Sequence, residues 1–212
     1  MIVRMYMSTD VASVEADVSI GEAAALMARR RIRRMPVVDE KGRLVGIVSA
    51  TDLYRAFPPS INPFSPRALD AAEAAGPVRK VMATHLSTTR PDSPVEEAAR
   101  VMREKKIGAL PVVENGRLAG MITESDIFRA FADLFASPRG SARVSFSVRT
   151  GEDVFGLVGQ LAARHGVHVL SMLTVRQDGE PVCVLRIAGG GITPLIDELA
   201  RSGHPPLNLL RF

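Results

Sequence analysis

Cysteine occurs once in the 212 residues, at Cys183, so no internal disulfide can form, and its place in an alternating apolar run reads as a buried strand position. No apolar run approaches the roughly 18 residues that cross a bilayer. The opening MIVRMYMSTD carries Arg4 and has no apolar stretch of signal length. These absences predict a protein of the reducing cytoplasm, neither exported nor embedded in a membrane. The ingredients of catalysis are missing too: the sequence pattern offers no nucleophile beside a base, no pair of carboxylates in separated environments and no nucleophile elbow. His165 and His168 stand three apart, but Gly166 interrupts the helix between them and no cysteine or carboxylate cluster completes a metal-ligand set. Gly189 to Gly191 lacks the lysine and hydroxyl that follow in a phosphate loop and reads as a flexible turn. A non-enzymatic protein requiring no metal and no cofactor is expected.

What the chain does have is ordinary globular material, 46% hydrophobic and 24% charged, sufficient for one or two cores without staples. The net charge is +4, and nearly all cations are arginine, a side chain suited to bidentate grip on phosphate or carboxylate. Most are interleaved with acids. The exception is RRRIRR, Arg29 to Arg34, which reads as the solvated C-terminal end of a helix. Two other readings stay open: Arg33 and Arg34 could meet ligand phosphates, or the run could touch nucleic acid, although interleaved aromatics and a recognisable reading motif are absent.

The chain also repeats itself. GIVSATDLYRAF, Gly46 to Phe57, returns as GMITESDIFRAF, Gly120 to Phe131, and sliding the sequence along itself aligns Asp17 with Asp92, Met27 with Met102, Ile32 with Ile107 and Asp52 with Asp126. One structural unit is written twice. Each copy opens with an extended piece, Asp10 to Val14 or His85 to Thr89. A helix-start signal follows, Ser19 with Glu22 or Ser93 with Glu96, the latter with Pro94 in the first turn. Apolar residues then fall at helical spacing, Ile20, Ala23, Ala24 and Met27 against Val95, Ala98, Ala99 and Met102. Two β-branched runs around Gly42 or Gly116 predict a hairpin, and a second helix is expected from about Asp52 or Asp126. Each unit is therefore βαββα. Between the units, Pro58 to Pro77 is a connector whose stretch Arg67 to Ala75 could form a short helix.

From Ser141 the pattern changes. Val144, Phe146 and Val148 alternate with polar residues, Val154, Leu157, Val158 and Leu161 fall at helical spacing, and two further strands meet across QDGE with its Asp-Gly turn. A helix opened by Thr193 and Pro194 and a closing strand from Leu207 complete βαββαβ, the ferredoxin-like order.

In both copies a strand ends in a glycine, a hydroxyl three residues on and an aspartate three further: Gly46, Ser49 and Asp52, then Gly120, Thr123 and Asp126. Unsatisfied N–H groups at a helix start attract phosphate, which a hydroxyl there can share, and an aspartate one turn in can accept both hydroxyls of a ribose. The plainer alternative is that Ser49, Thr51, Thr123 and Ser125 only cap helices, with both aspartates complementing the dipole.

The segments MPVV…GRLVGIVSATDL and GALPVV…GRLAGMITESDI resemble paired CBS domains, the Bateman module, over roughly Met1 to Phe135. The tail resembles an ACT domain, by element order and by LAARHGVHVLSM. Together with the opening MIV, the arrangement resembles the acetoin-utilisation regulatory family. The expected architecture is a CBS domain at residues 1–57, a connector at 58–77, a second CBS domain at 78–136, a linker at 137–141 and an ACT-like domain at 142–212, an α/β (α+β) chain throughout.

The CBS resemblance implies that AMP, ADP, ATP or S-adenosylmethionine binds as a regulatory ligand between the units. Asp52 and Asp126 would then hold ribose, with Ser49 and Thr123 on ribose or phosphate and Thr51 and Ser125 nearby. Adenine would lie against Thr9 to Val11 and Thr84 to Leu86. It would also meet the residues before and at each proline, Arg33, Arg34, Met35 and Pro36 in one copy and Gly108, Ala109, Leu110 and Pro111 in the other. The ACT resemblance implies self-association, and Arg149 to Asp153 lacks the acidic residue and proline expected of an amino-acid-binding loop. A homodimer signalling to an effector protein is expected, because both parts leave apolar faces that a second copy could cover. The competing expectations are an interaction module with empty clefts and a nucleic-acid binder.

Overall fold

The computed structural model describes residues 1–56 and 76–212, so Phe57 and most of the connector, including its expected short helix, lie outside the described residues. The chain divides into two compact units, Met1–Phe131 and Ala132–Phe212.

In the first unit the first repeat contains β1 (Val14–Glu15), α1 (Ile20–Arg30), β2 (Arg34–Val38), β3 (Leu44–Ser49) and α2 (Ala50–Ala56). β1 runs parallel to β2, and β2 pairs antiparallel with β3. The second repeat supplies α3 (Val95–Lys105), β4 (Ala109–Glu114), β5 (Arg117–Thr123) and α4 (Glu124–Leu134), with β4 and β5 antiparallel. Helix α1 begins as its sequence dictates. The Ser19 hydroxyl accepts the Glu22 N–H at 3.2 Å while the Glu22 carboxylate accepts the Ser19 N–H at 3.2 Å and its hydroxyl at 2.8 Å, satisfying donors that an isolated helix end leaves bare. Those bonds hold the Glu22 carboxyl below the usual range. Ile20, Ala23, Ala24 and Met27 are all buried. The helix ends at Arg31, whose left-handed φ of 53° is matched in the other copy by Lys106 at 53°.

The second capping box expected from sequence does not form. Pro94 itself is the residue preceding α3 and has no side-chain acceptor, while the Ser93 hydroxyl accepts the Arg90 N–H at 3.3 Å. Instead the Val95 N–H donates to the Met1 carbonyl at 3.2 Å, just as the Ile20 N–H donates to the Gly76 carbonyl at 3.0 Å.

These two bonds belong to an exchange between the repeats. The turn at Val3–Met5 precedes the first repeat in sequence yet buries Val3 among Leu110, Val112 and Ile122 of the second. The turn at Val78–Lys80 buries Val78 among Met27, Val37 and Leu53 of the first. Ser8 and Met121 exchange two backbone bonds of 2.9 Å, and Ala83 exchanges bonds of 2.8 and 3.0 Å with Ile47. Each repeat thus completes its core with the segment leading into the other. Burying one valine is worth about 1.5 to 3 kcal/mol, so the exchange contributes to holding the repeats together.

The motif glycines make room for it. A Cβ on Gly120 would sit 2.7 Å from the Ser8 carbonyl oxygen, and one on Gly46 would collide with the Met82 sulfur.

The second unit contains β6 (Ser141–Ser147), α5 (Val154–His165), β7 (His168–Gln177), β8 (Glu180–Ala188), α6 (Ile192–Arg201) and β9 (Pro206–Arg211). Its strands form one antiparallel sheet in the order β7-β8-β6-β9. Phe146, Leu185, Ile187, Leu195 and Leu199 fill the space between the sheet and its helices. Asp178 and Gly179 both take positive φ at the β7–β8 turn, as an Asp-Gly hairpin requires. Cys183 is fully buried and desolvation pushes its thiol up to about 11. His165 lies 2.6 Å from the Glu198 carboxylate, and His204 2.8 Å from that of Glu152. Gly191 meets the His165 carbonyl so closely that any Cβ would overlap it, which explains the third glycine of the GGG turn.

Candidate functional site

The Gly-x-x-hydroxyl-x-x-Asp segment ends β3 and β5 and opens α2 and α4. The helices start two residues before the aspartates, at Ala50 and Glu124, because Ser49 and Thr123 stand just outside the helix and the aspartates close a capping box on them. Asp52 Oδ2 accepts the Ser49 N–H at 2.8 Å and its hydroxyl at 2.6 Å, and Asp126 Oδ2 accepts the Thr123 N–H at 2.9 Å and its hydroxyl at 2.7 Å. The capping role weighed from sequence is therefore present at both copies, and it occupies one oxygen of each carboxylate.

The remaining oxygens differ. Asp126 is buried and its Oδ1 accepts from the Arg129 guanidinium at 3.1 Å, whereas Asp52 is half-buried and its Oδ1 has no hydrogen-bond donor among the described residues.

Two clefts lie between the repeats. The first, of about 390 Å³, has the motif of the first repeat on one wall (Ser49, Asp52, Ile47), the crossing segment Ala83 to Ser87 beside it, and Lys105, Ile107 and Pro111 of the second repeat opposite. The second, of about 290 Å³, has Thr123 and Ser125 on one wall, the crossing residues Ser8, Asp10 and Val11 beside it, and Ile32 and Arg33 opposite. Arg34 and Ala109 line both. The sizes are at the low end of the range for small-molecule sites, roughly 300 to 1,000 Å³.

Of the residues singled out from sequence, Ser49, Asp52, Leu86 and Pro111 line the first cleft. Val11, Arg33, Gly108, Thr123 and Ser125 line the second. Thr9, Thr51 and Thr84 are exposed and line neither. Met35 and Leu110 are fully buried in the two repeat cores, and Pro36 is buried as well. Strand alternation explains the place of Met35, since Arg34 and Met35 are consecutive on β2 and point to opposite faces. Asp126 is not among the residues that line the second cleft.

Asp10 and His85, inside the two extended segments expected beside adenine, line the second and the first cleft, while sequence reasoning missed Ser87 and Lys105 in the first cleft and Ser8 and Glu124 in the second. The repeat alignment held part of the signal, because Ala12 and Ser87 occupy matching positions and each lines a cleft.

Comparison with known proteins fits this geometry. A model of the CBS domain matches residues 3–59 and 78–133, together more than half of the chain. The CBS domain pair of protein MJ0100, solved in complex with 5'-methylthioadenosine and S-adenosyl-L-methionine, is 28% identical with a TM-score of 0.52, covering 63% of this chain and 97% of that one. CBSX2 in complex with AMP is 27% identical with a TM-score of 0.54, covering 64% and 98%. An acetoin utilisation protein (AcuB) from Vibrio cholerae is 29% identical with a TM-score of 0.53, covering 65% and 98%. Among sequence relatives, homoserine O-acetyltransferase of Methanohalobium evestigatum is 33% identical over 58% of this chain, and that match takes up 22% of the enzyme. The chain spans about a fifth to a third of the length of the first three curated relatives it matches.

Proposed function

This chain belongs to the CBS-domain family, and from that membership we propose that it is a non-catalytic regulator whose two inter-repeat clefts bind adenosine ligands: AMP, ADP, ATP or S-adenosylmethionine. The observation that carries the reading is Asp52, which lines the first cleft and has one carboxylate oxygen held by Ser49 while the other has no hydrogen-bond donor among the described residues. A carboxylate so oriented accepts a ribose hydroxyl without being reorganised first. Ser49 and Thr123 would contact ribose or phosphate, with Thr51 and Ser125 beside them. Asp126 would accept ribose on an Oδ1 that already accepts from Arg129. The adenosine complexes of MJ0100 and CBSX2 support the ligand class.

Each cleft draws walls from both repeats and from one crossing segment. A bound molecule therefore favours whichever arrangement of the repeats fits it best, which is the differential binding that a conformational signal needs.

We read the second unit as an ACT-like, ferredoxin-like domain, on its βαββαβ order and sheet sequence. Val169, Leu170 and Val175 on β7 and Leu207, Leu209 and Leu210 on β9 are exposed, and a homodimer is the reading that supplies them with a cover. The effector would be another protein, in acetoin or related carbon metabolism, a reading supported by the likeness to the Vibrio cholerae protein.

Isothermal titration of AMP tests the ligand reading. Saturable binding is expected, weakened roughly tenfold to a hundredfold by Asp52→Ala, the worth of a hydrogen bond to a charged group. Absence of heat or thermal stabilisation with AMP and with S-adenosylmethionine would leave the interaction-module alternative. Steeply salt-dependent affinity for DNA would point to the nucleic-acid one.

A further inference from the structure

The sheet of the second unit holds two arginines side by side without a counter-charge. Leu185 and Ile187 on β8 enter the core shared with α5 and α6, so Arg186 between them points to the sheet's other face. The pairing register sets it directly opposite Arg143 on β6 and opposite Ser171 on β7. Like charges at such a cross-strand pair repel. Arg186 is nevertheless buried, at 6% exposure. Its Nη1 donates to the Ser171 hydroxyl at 3.3 Å, its Nε is buried with no partner, and the Phe135 ring lies 4.6 Å from its guanidinium carbon. Burial, and after it Arg143, hold its pKa below the ordinary value.

No carboxylate answers either charge. The ion pairs of the second unit join Arg164 and His165 to Glu198 and His204 to Glu152, and neither Arg143 nor Arg186 has one among the described residues. Glu180 is the one carboxylate in the four strands, and it stands six residues from Arg186 on β8, roughly 20 Å at a strand's rise. A buried charge without a partner is costly. Two cations held together at that cost call for an anion from outside the sheet.

We infer that the sheet face opposite α5 and α6 is an anion site, where Arg143 and Arg186 together bind the oxyanion of a small ligand, a carboxylate or a phosphate. A guanidinium is a planar fork of donors that matches two such oxygens at once. Arg186 is fixed in advance by Ser171 and Phe135. Arg143 is half-buried and supplies the fork that a ligand meets from solvent. The site lies within the second unit and stands whatever the clefts of the first unit bind.

Arginine side-chain NMR of the full chain tests it, with sodium phosphate and sodium malonate titrated against sodium chloride at equal ionic strength. The Nε–H signals of Arg143 and Arg186 should shift saturably with at least one of the two oxyanions and stay still with chloride. Tighter binding of phosphate would assign the site to a phosphorylated ligand, and tighter binding of malonate to a carboxylate. Arg143→Gln should weaken the tighter anion roughly tenfold. Without anion, its melting temperature should hold or rise, because a cross-strand repulsion is removed. If Arg186 serves only to pack against Phe135, its signal will respond to the oxyanions no more than to chloride. That result, or unaltered affinity in Arg143→Gln, would overturn the site.

Discussion

The two repeats share their residues and differ in what those residues do. In the first, Asp52 holds the helix start with one oxygen and lines a cleft; in the second, Asp126 is buried with both oxygens bonded. The helix-start capping box is present at Ser19 and absent at Pro94. Duplication evidently preserves cores and crossings while the cleft walls diverge, because packing tolerates few replacements and a cleft wall tolerates many.

The largest expected effect tests whether the exchanged segments are equally rigid. Gly120→Ala would drive a methyl into the backbone of Ser8, which has little freedom to move, and should cost about 3 kcal/mol of stability. Gly46→Ala meets the flexible Met82 side chain and should cost about 1 kcal/mol. Chemical denaturation of both variants measures the difference, and equal costs would mean that the crossings yield alike.

Next come the aspartates. Asp52→Ala should weaken AMP binding by about 2 kcal/mol, with a smaller loss of stability. Asp126→Ala should reverse that balance, costing about 1 to 2 kcal/mol of folding stability as a buried cap is lost. Titration and thermal melting on the same preparations give both numbers, and identical profiles would erase the functional distinction between the copies.

Smaller still is Ser19→Ala, expected to cost about 1 kcal/mol, whereas Ser93→Ala, which removes no helix cap, should fall within about 0.5 kcal/mol. Paired urea titrations would detect the contrast, and equal losses would mean that Ser93 does cap α3 in solution.

Much of this was legible in the sequence. The doubled helix, hairpin and helix and the βαββαβ tail follow from periodicity and turn residues, because each element is fixed locally by alternation, helical spacing or a left-handed glycine; the opening strand expected in both copies forms only in the first, and in the second His85 to Thr89 makes a single bridge from Thr89 to Val112. The exchange of Val3 and Val78 was not legible, since which core a short apolar segment joins is decided by the crossing of the chain and not by local pattern. The cleft was half legible. Ser49, Asp52 and Thr123 were marked by their repetition, and Asp10 and His85 fell inside the extended segments expected beside adenine, but Lys105 and Glu124 were hidden because the copies differ there. The side chains of Met35 and Leu110 serve the repeat cores, because the apolar-Pro-Val-Val motif records a strand with a core-facing side.

The slightest expected effect lies in the second unit. The Arg149 backbone N–H, and after it His204, hold the Glu152 carboxyl below its ordinary 4.5. Its folded value is depressed, so its contribution to stability is complete above 4.5 and is lost as pH falls through the lower folded value. Glu152→Gln should therefore flatten the acid limb of the melting-temperature profile, and an unchanged limb would show that the pairing contributes nothing in solution.

The most direct test of the central claim is a crystal structure of the full chain grown with AMP. The adenosine should lie in the first cleft with its ribose hydroxyls on Asp52 Oδ1 and its phosphate toward Lys105 and Arg34. Nucleotide bound only outside the two clefts, or both clefts without nucleotide at saturating AMP, would contradict the account.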